Sequence, residues 1–242
     1  MPEIIYIEKT DSTSTYLKTL SHCRNLDEGT VVTTNFQTLG RGQQGSIWES
    51  TEGENLLFSI IFYPKMVEIG SQFIISQAIS LAIQKILSNY TDDIQIKWPN
   101  DIYQKESKIC GILIENILSE KIIEQSIVGI GININQTIFL SNAPNPISLK
   151  KITQNNYDLK TLLREFIDEI SIYYQRIKDG DFDLIRTEYV ESLYRKEGYF
   201  WYNDGIENFE ARIKRIENNG IIVLETKNYI ERRFMFKEVK FI

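Results

Sequence analysis

The chain has 242 residues, 42% of them hydrophobic and 25% charged, and a formal net charge of −6, which is ordinary for a globular protein. The acidic balance argues weakly against a nucleic-acid partner, and a single histidine, His22, excludes zinc sites built from several histidines. Cys23 and Cys110 lack metal-site spacing, and neither a signal peptide nor a membrane-length apolar run is present, so we expect a cytoplasmic protein with two free, buried thiols and no membrane partner.

The first half of the chain alternates strands with helices. Apolar and β-branched runs predict strands at 4–8, 30–36, 55–63, 94–98, 108–116 and 122–135. Asp11 and Ser12 are expected to cap a helix that continues past Leu20, and Ser71 to open a longer helix to Leu87. Residues 99–101 are a turn signal. This order indicates an α+β fold in which helices cover a mixed, mostly antiparallel sheet.

The second half changes character near Arg195. After a loop expected at 138–146, Asp158 should cap an amphipathic helix to Ile177, and a further helix should run from 182 to 194. Short strands alone are expected beyond that point, at 200–202, 209–216, 221–225 and 229–236. Closely spaced short strands indicate a small β-barrel. We therefore divide the chain into a larger domain at 1–194 and a C-terminal domain at 195–242.

A glycine-rich loop follows the second predicted strand. It contains Gly40, Arg41, Gly42 and Gly45 and ends at Trp48. Glycines let backbone amides approach a ligand closely, a guanidinium suits a carboxylate or a phosphate, and an indole can stack on a purine. Because glycine-rich loops are common, a mobile surface loop remains the alternative.

The sequence Lys97-Trp98-Pro99-Asn100-Asp101 closes the fourth predicted strand. Its rigid turn presents a cation, an amide and a carboxylate together, and these can neutralise phosphate and hold Mg²⁺ through oxygen. Lys108 heads the next apolar strand, which could hold its ammonium at a sheet end. On chemistry alone a plain turn and an edge lysine that discourages aggregation are the alternatives.

Two glycines interrupt the sixth predicted strand. Gly129 and Gly131 would permit a ligand to approach the backbone, and Asn133 could contact the edge of a base. An ordinary bulge is the alternative.

In combination and in this order, these motifs resemble the biotin–protein ligase family. The glycine–arginine loop, the KWPND turn, the KxxGIL pattern that begins at Lys108 and the GIGxNxN pattern all match, and KWPND is a specific signature. The resemblance covers nearly the whole chain, since Asp11-Ser12-Thr13 and the C-terminal strands also fit. It implies a catalytic domain similar to class II aminoacyl-tRNA synthetases, followed by an SH3-like β-barrel.

The resemblance implies an ATP-dependent ligase. Such an enzyme joins biotin to ATP as biotinyl-5′-AMP with Mg²⁺, releases pyrophosphate, and transfers biotin to a lysine of a biotin carboxyl carrier protein. No protein nucleophile is needed, which agrees with the near absence of histidine. Because the motifs begin close to Met1, we expect no DNA-binding repressor domain. We expect a monomer or a homodimer.

The resemblance also implies roles for individual residues. The expected catalytic residues are Lys108, Arg41 and Asp101, with Asp101 on the Mg²⁺ side. Biotin is expected to contact Ser12, Thr13, Ser14, Gln37, Arg41, Gly42, Gln43, Lys108, Gly111 and Gly129. ATP or the adenylate is expected to contact Arg41, Gln43, Gly45, Trp48, Lys97, Asn100, Asp101, Lys108, Gly131 and Asn133.

Two positions depart from the family pattern. Ser14 stands where asparagine is usual, and Gln43 stands where the loop usually has a second arginine. An uncharged amide binds phosphate less strongly than a cation, so we expect weaker retention of the adenylate. A lipoate–protein ligase or octanoyltransferase is an alternative, but such proteins lack the KWPND turn. A non-catalytic biotin- or nucleotide-binding module is another, against which Lys108 and Arg41 argue.

Overall fold

A computed structural model describes residues 2–140 and 145–242, with the backbone alone at Gln44. Part of the predicted 138–146 loop, residues 141–144, lies outside the described residues. The strands are β1 (Ile4–Thr10), β2 (Val31–Gln37), β3 (Leu56–Phe62), β4 (Ile94–Lys97), β5 (Asp101–Gln104), β6 (Ser107–Ser119), β7 (Ile122–Ile132), β8 (Phe200–Asn203), β9 (Asn208–Ile216), β10 (Ile222–Thr226), β11 (Glu231–Phe234) and β12 (Lys240–Phe241). The helices are α1 (Thr13–Cys23), α2 (Phe73–Ser88), α3 (Leu149–Thr153), α4 (Leu159–Lys178) and α5 (Phe182–Glu191).

The larger sheet has the strand order β1-β2-β3-β7-β6-β5-β4. β1 and β2 are parallel, and all other neighbours in this sheet are antiparallel. The expected mixed, mostly antiparallel sheet is therefore confirmed. Successive residues of a strand point to opposite faces, and the burial of both faces explains why every residue of β3 except Ser59 is apolar.

The two faces of this sheet bury different cores. Helix α1 covers one face, where Leu17 packs with Val32, Ile61 and Ile127. The adjacent residues of the same strands point to the other face and join the main core, in which α2 is buried on nearly all sides. Helix α4 packs against α2. None of the described helices is long and apolar enough to cross a membrane.

The helix ends agree in part with the sequence predictions. The Asp158 side chain accepts a hydrogen bond from the Thr161 N–H at 2.8 Å, so the predicted cap of α4 is confirmed. Ser12 occupies the N-cap position of α1 but makes no side-chain capping bond. Helix α2 begins at Phe73, because Ser71 belongs to a preceding 3₁₀ turn. Both thiols are free as expected, but Cys23, at the end of α1, is exposed.

Three elements were missed, and α5 is shorter than predicted. Asp101 does not close a turn: it begins β5, whose four residues pair with β4 on one side and β6 on the other. Strand β12 and helix α3 were also missed. Helix α5 ends at Glu191 because the following segment pairs with the edge of β4, where the Tyr194 N–H donates to the Ile96 carbonyl at 2.9 Å. Tertiary pairing decided the ends of these elements.

The C-terminal strands form an antiparallel sheet in the order β11-β10-β9-β8-β12. Among the described residues, β11 and β12 are its edges, so hydrogen bonds do not close the predicted barrel. This sheet packs directly on the 98–100 turn. Trp98 Nε1 donates to the Gly220 carbonyl at 2.9 Å, and the Phe236 ring centroid lies 5.5 Å from that of Trp98. The packing brings the last residues of the chain beside the larger sheet.

Candidate functional site

A cavity of about 650 Å³ lies on the face of the larger sheet that α1 covers. One part, which we call the hydroxyl end, is lined by Ser12, Thr13, Ser14, Gln37 and Gly129. The other part, which we call the cationic end, is lined by Arg41, Lys97, Asp101, Lys108, Lys237 and Lys240. Trp48 lies between the two ends.

The hydroxyl end is a network of neutral hydrogen bonds at the start of α1. The Gln37 side-chain oxygen accepts from the Thr13 N–H at 2.8 Å and from the Thr13 hydroxyl at 3.1 Å. Ser59 is fully buried in β3, and its hydroxyl lies 2.8 Å from that of Thr13 and 3.0 Å from that of Ser14. Buried polar groups of this kind are held rigidly by their partners, so this end is preorganised.

Glycines of β6 and β7 form the floor of the cavity. A Cβ on Gly129 would collide with the Ser14 hydroxyl, and a Cβ on Gly131 would collide with the indole of Trp48. A Cβ on Gly111, which is paired with Gly131, would lie 2.8 Å from the same indole. The absence of side chains at these three positions therefore allows Ser14 and Trp48 to sit directly on the sheet.

The cationic end is centred on an ion pair. Lys108 Nζ lies 2.6 Å from Asp101 Oδ1 and 5.6 Å from the ring centroid of Trp48. Lys108 is on β6 and Asp101 is on the neighbouring strand β5, so the ion pair links these two strands. The side chains are 24% and 23% exposed. The ammonium is thus held at the cavity wall and not in open solvent.

Lys97 is enclosed by aromatic rings. Its Nζ donates to the Tyr103 hydroxyl at 3.1 Å and lies 5.4 Å from the Phe241 ring centroid. Burial lowers the pKa of Lys97 below its ordinary value, an effect that the Asp101 carboxylate opposes and Arg195 and Lys108 reinforce. A desolvated cation interacts more strongly with an anion than one in water.

The glycine-rich loop folds back on itself over the cavity. The Trp48 N–H donates to the Gly40 carbonyl at 2.9 Å, and the Gly42 N–H donates to the Ser46 carbonyl at 2.7 Å. Arg41 lines the cavity, and its guanidinium lies 2.6 Å from the Glu115 carboxylate on β6. These bonds give the loop a defined hairpin-like shape.

The cavity brings together nearly all of the predicted site residues. Those that line it are Ser12, Thr13, Ser14, Gln37, Arg41, Gly42, Gln43, Trp48, Lys97, Asn100, Asp101, Lys108, Gly111, Gly129 and Gly131. Gly45 and Asn133 are not in this lining. Asn133 is 3% exposed, and its amide donates to the Ile147 carbonyl at 3.1 Å, so its side chain ties β7 to the chain that follows.

Sequence reasoning missed residues at both ends of the cavity. Ser59 gave a signal that was overlooked, because it is the single polar residue in the strand sequence LLFSIIF. Lys237, Lys240 and Phe241 gave no such signal, since they enter the cavity through the packing of the C-terminal sheet.

No preformed metal cage exists among the described residues, since no group of three or more His, Cys, Asp or Glu could hold an ion. Asp101 is the single carboxylate among the described lining residues. Mg²⁺ is commonly held by one or two carboxylates together with substrate phosphates. The site therefore fits a magnesium ion that arrives with a nucleotide, and Asp101 is the residue that would hold it.

The sequence profile described as the biotin/lipoate A/B protein ligase family matches residues 6–133, which extend from β1 to just past β7. This span contains every predicted site residue.

Curated relatives are similar to part of this chain. The "Bifunctional ligase/repressor BirA" of Bacillus subtilis is 35% identical over 136 residues, which are 55% of this chain and 41% of that protein. The human "Biotin--protein ligase" is 28% identical over 173 residues, which are 68% of this chain and 23% of that protein. The match thus spans less than half the length of either relative.

A solved structure resembles the whole chain. The biotin protein ligase from Aquifex aeolicus, in complex with biotin and ATP, superimposes with a TM-score of 0.82 and 25% identity and covers 100% of both chains. The C-terminal sheet is therefore included in the likeness, beyond the region that the family profile matches.

Proposed function

Because the chain belongs to the biotin/lipoate A/B protein ligase family, we propose that it is an ATP-dependent biotin–protein ligase. It forms biotinyl-5′-AMP from biotin and ATP and then transfers biotin to a lysine of a biotin carboxyl carrier protein. Relatives that are named biotin ligases support this assignment, as does the likeness to a ligase that binds biotin and ATP.

The observation that carries the proposal is the hydroxyl end. The ureido ring of biotin has N–H donors and a carbonyl acceptor, which the neutral groups of Ser12, Thr13 and Gln37 can satisfy. The dithiolane ring of lipoate has neither kind of group, and buried polar groups left without partners are costly. The neutral network around Ser59 therefore favours biotin over lipoate.

The cationic end suits the first reaction. With the ureido ring at the hydroxyl end, the biotin carboxylate points toward Lys108 and attacks the α-phosphorus of ATP. The bond from that phosphorus to the bridging oxygen breaks, and pyrophosphate leaves with the electron pair. Lys108 and Arg41 stabilise the negative charge that develops on the phosphate oxygens. Mg²⁺, when bound through Asp101, would neutralise further phosphate charge.

The second reaction needs little from the protein. The neutral amine of the acceptor lysine attacks the carbonyl carbon of the mixed anhydride, AMP leaves, and the amine loses a proton. Trp48, seated on Gly111 and Gly131, covers the middle of the cavity and keeps water from the anhydride.

A transfer assay tests the proposal. The purified chain is incubated with ATP, Mg²⁺ and a biotin carboxyl carrier domain, in parallel with radiolabelled biotin or lipoate. Label from biotin on the carrier domain, dependent on ATP, is the expected result. Transfer of lipoate in preference to biotin, or binding of biotin without transfer, would contradict the assignment.

A further inference from the structure

Two lysines of the cationic end, Lys97 and Lys108, have hydrogen-bond partners of different charge. Lys108 Nζ lies 2.6 Å from the Asp101 carboxylate, whereas Lys97 Nζ donates to the neutral Tyr103 hydroxyl at 3.1 Å. Among the described residues Lys97 forms no ion pair, although it lines the same end of the cavity. The positive charge of Lys97 is therefore held in place without being paired to a carboxylate.

Strand β5 supplies both partners. Asp101 and Tyr103 are two residues apart in this strand, so their side chains point to the same face of the sheet. In the register of the sheet Asp101 lies opposite Lys97 in β4, and Tyr103 lies opposite Lys108 in β6. Each lysine thus bonds the β5 residue diagonal to it, and three consecutive residues of β5 set the positions of both ammonium groups.

The Tyr103 side chain is itself fixed by packing. It is 4% exposed, and its ring centroid lies 5.6 Å from that of Tyr194 and 4.4 Å from Lys97 Nζ. The Tyr194 hydroxyl is bonded in turn to the Glu106 carboxylate and to Arg195 Nε. A closely packed ring cannot leave its rotamer without displacing its neighbours, so the Tyr103 hydroxyl keeps one position.

A lysine held in this way is prepared for an anionic ligand. The four-carbon stem of lysine is flexible, and a free ammonium loses that freedom when it binds a ligand. Lys97 is half-buried and already bonded to Tyr103, so part of this entropy is lost before the ligand arrives, and preorganisation of this kind raises affinity. An ammonium has three N–H donors. The bond to Tyr103 uses one of them, which leaves two for oxygens of the ligand.

We infer that Tyr103 is a positioning residue that holds the Lys97 ammonium where it binds a phosphate of the nucleotide. That the anion is the phosphate chain of ATP rests on the proposed function. Tyr103 is not among the described residues that line the cavity, so it acts through Lys97 and does not touch the ligand.

Calorimetry of the full chain with ATP and with inorganic tripolyphosphate tests this inference. Tyr103→Phe keeps the ring and removes the hydroxyl, and it should raise the Kd for both ligands about fivefold while the Kd for biotin stays constant. Lys97→Gln removes the charge and should raise both values about tenfold or more. Because Tyr103 acts only through Lys97, the double variant should bind no more weakly than Lys97→Gln alone.

The matched control is Tyr194→Phe. Tyr194 packs against Tyr103, but its hydroxyl bonds Glu106 and Arg195 and not Lys97, so the Kd for ATP should stay within about twofold of the wild type. An equal loss in this control would show that loosened aromatic packing causes the effect and would overturn the inference.

Unchanged polyphosphate affinity in Tyr103→Phe or in Lys97→Gln would also overturn it, as would losses that add in the double variant. If the wild type transfers no biotin but the two losses are non-additive, the proposed function fails and the positioning role stands.

Discussion

The two ends of the cavity differ in how they are built. The hydroxyl end takes its polar groups from α1, β2 and β3, and Ser12, Thr13 and Ser14 are 4%, 3% and 4% exposed. The cationic end is assembled from the glycine-rich loop, strands β4, β5 and β6, and the end of the chain. The Arg41 side chain there is 43% exposed.

This difference matches the chemistry of the two ligand parts. A neutral ring must be recognised by hydrogen bonds alone, and these need buried, fixed partners. A polyphosphate brings charge, which attracts cations over longer distances and tolerates exposure. Pyrophosphate must also leave after the first reaction. Because the cationic end is built from separate elements, these elements can move apart and permit its release.

The largest expected effect is at the cationic end. Lys108→Ala should lower the rate of biotinyl-adenylate formation by about a hundredfold or more, because it removes a charge aimed at the developing phosphate charge. The Kd for biotin should rise by a smaller factor, about tenfold, because the biotin carboxylate also loses its contact with Lys108. Pyrophosphate release in single-turnover experiments and calorimetry with biotin measure the two quantities.

The control is Lys121→Ala, an exposed lysine in the turn between β6 and β7. A near-normal adenylation rate in Lys108→Ala would remove Lys108 from its catalytic role. A loss of biotin affinity in Lys108→Ala as large as its loss of adenylation rate would show that the two ends do not act separately.

Gly129→Ala and Gly131→Ala are two substitutions in the same strand, and each should affect a different end of the cavity. Gly129→Ala pushes on Ser14 and should raise the Kd for biotin, whereas Gly131→Ala pushes on Trp48 and should raise the Kd for ATP. Overpacking costs about 1–3 kcal/mol, which corresponds to roughly tenfold to a hundredfold in affinity. Calorimetry with biotin and with ATP distinguishes the two variants. The same changes of Kd in both variants would contradict the division of the cavity into two ends.

Ser59→Ala tests whether the hydroxyl end depends on its buried network. The Thr13 and Ser14 hydroxyls each lose a partner, at about 1 kcal/mol for each bond. The Kd for biotin should rise by up to about thirtyfold and the KM for ATP should stay constant. Ser126→Ala is the matched control, because Ser126 is also a fully buried serine of the sheet but its hydroxyl has no partner among the described residues. Unchanged biotin affinity in Ser59→Ala would contradict a positioning role.

The smallest effect is expected from Gln43→Arg. A guanidinium at this position adds a cation to the loop, and we expect the adenylate to dissociate about threefold more slowly. The gain is small because Lys237 already places a cation beside the Gln43 carbonyl. The dissociation rate of biotinyl-5′-AMP measures this change. An unaltered rate would show that charge at the loop does not control retention.

Much of the site was predictable because its motifs are continuous in sequence. The 97–101 segment, Lys108 and the glycines of β6 and β7 were identified from spacing and resemblance, and the structure brings them into one cavity. Asn133 was identified in the same way but is not among the residues that line the cavity, and its amide donates to the Ile147 carbonyl. The sequence pattern indicates a polar residue at the end of a strand, but it does not indicate the direction in which the side chain points.

The sequence alone determined the alternation of strands and helices, the buried strand β3 and the cap of α4, because periodicity and local hydrogen bonds depend on neighbours in the chain. It also determined the family, through motifs that are local. The tertiary structure decided the short strands β5 and β12, the end of α5, the partners of Ser59 and the approach of Lys237 to Gln43. Those features depend on contacts between residues far apart in sequence, which no local pattern specifies.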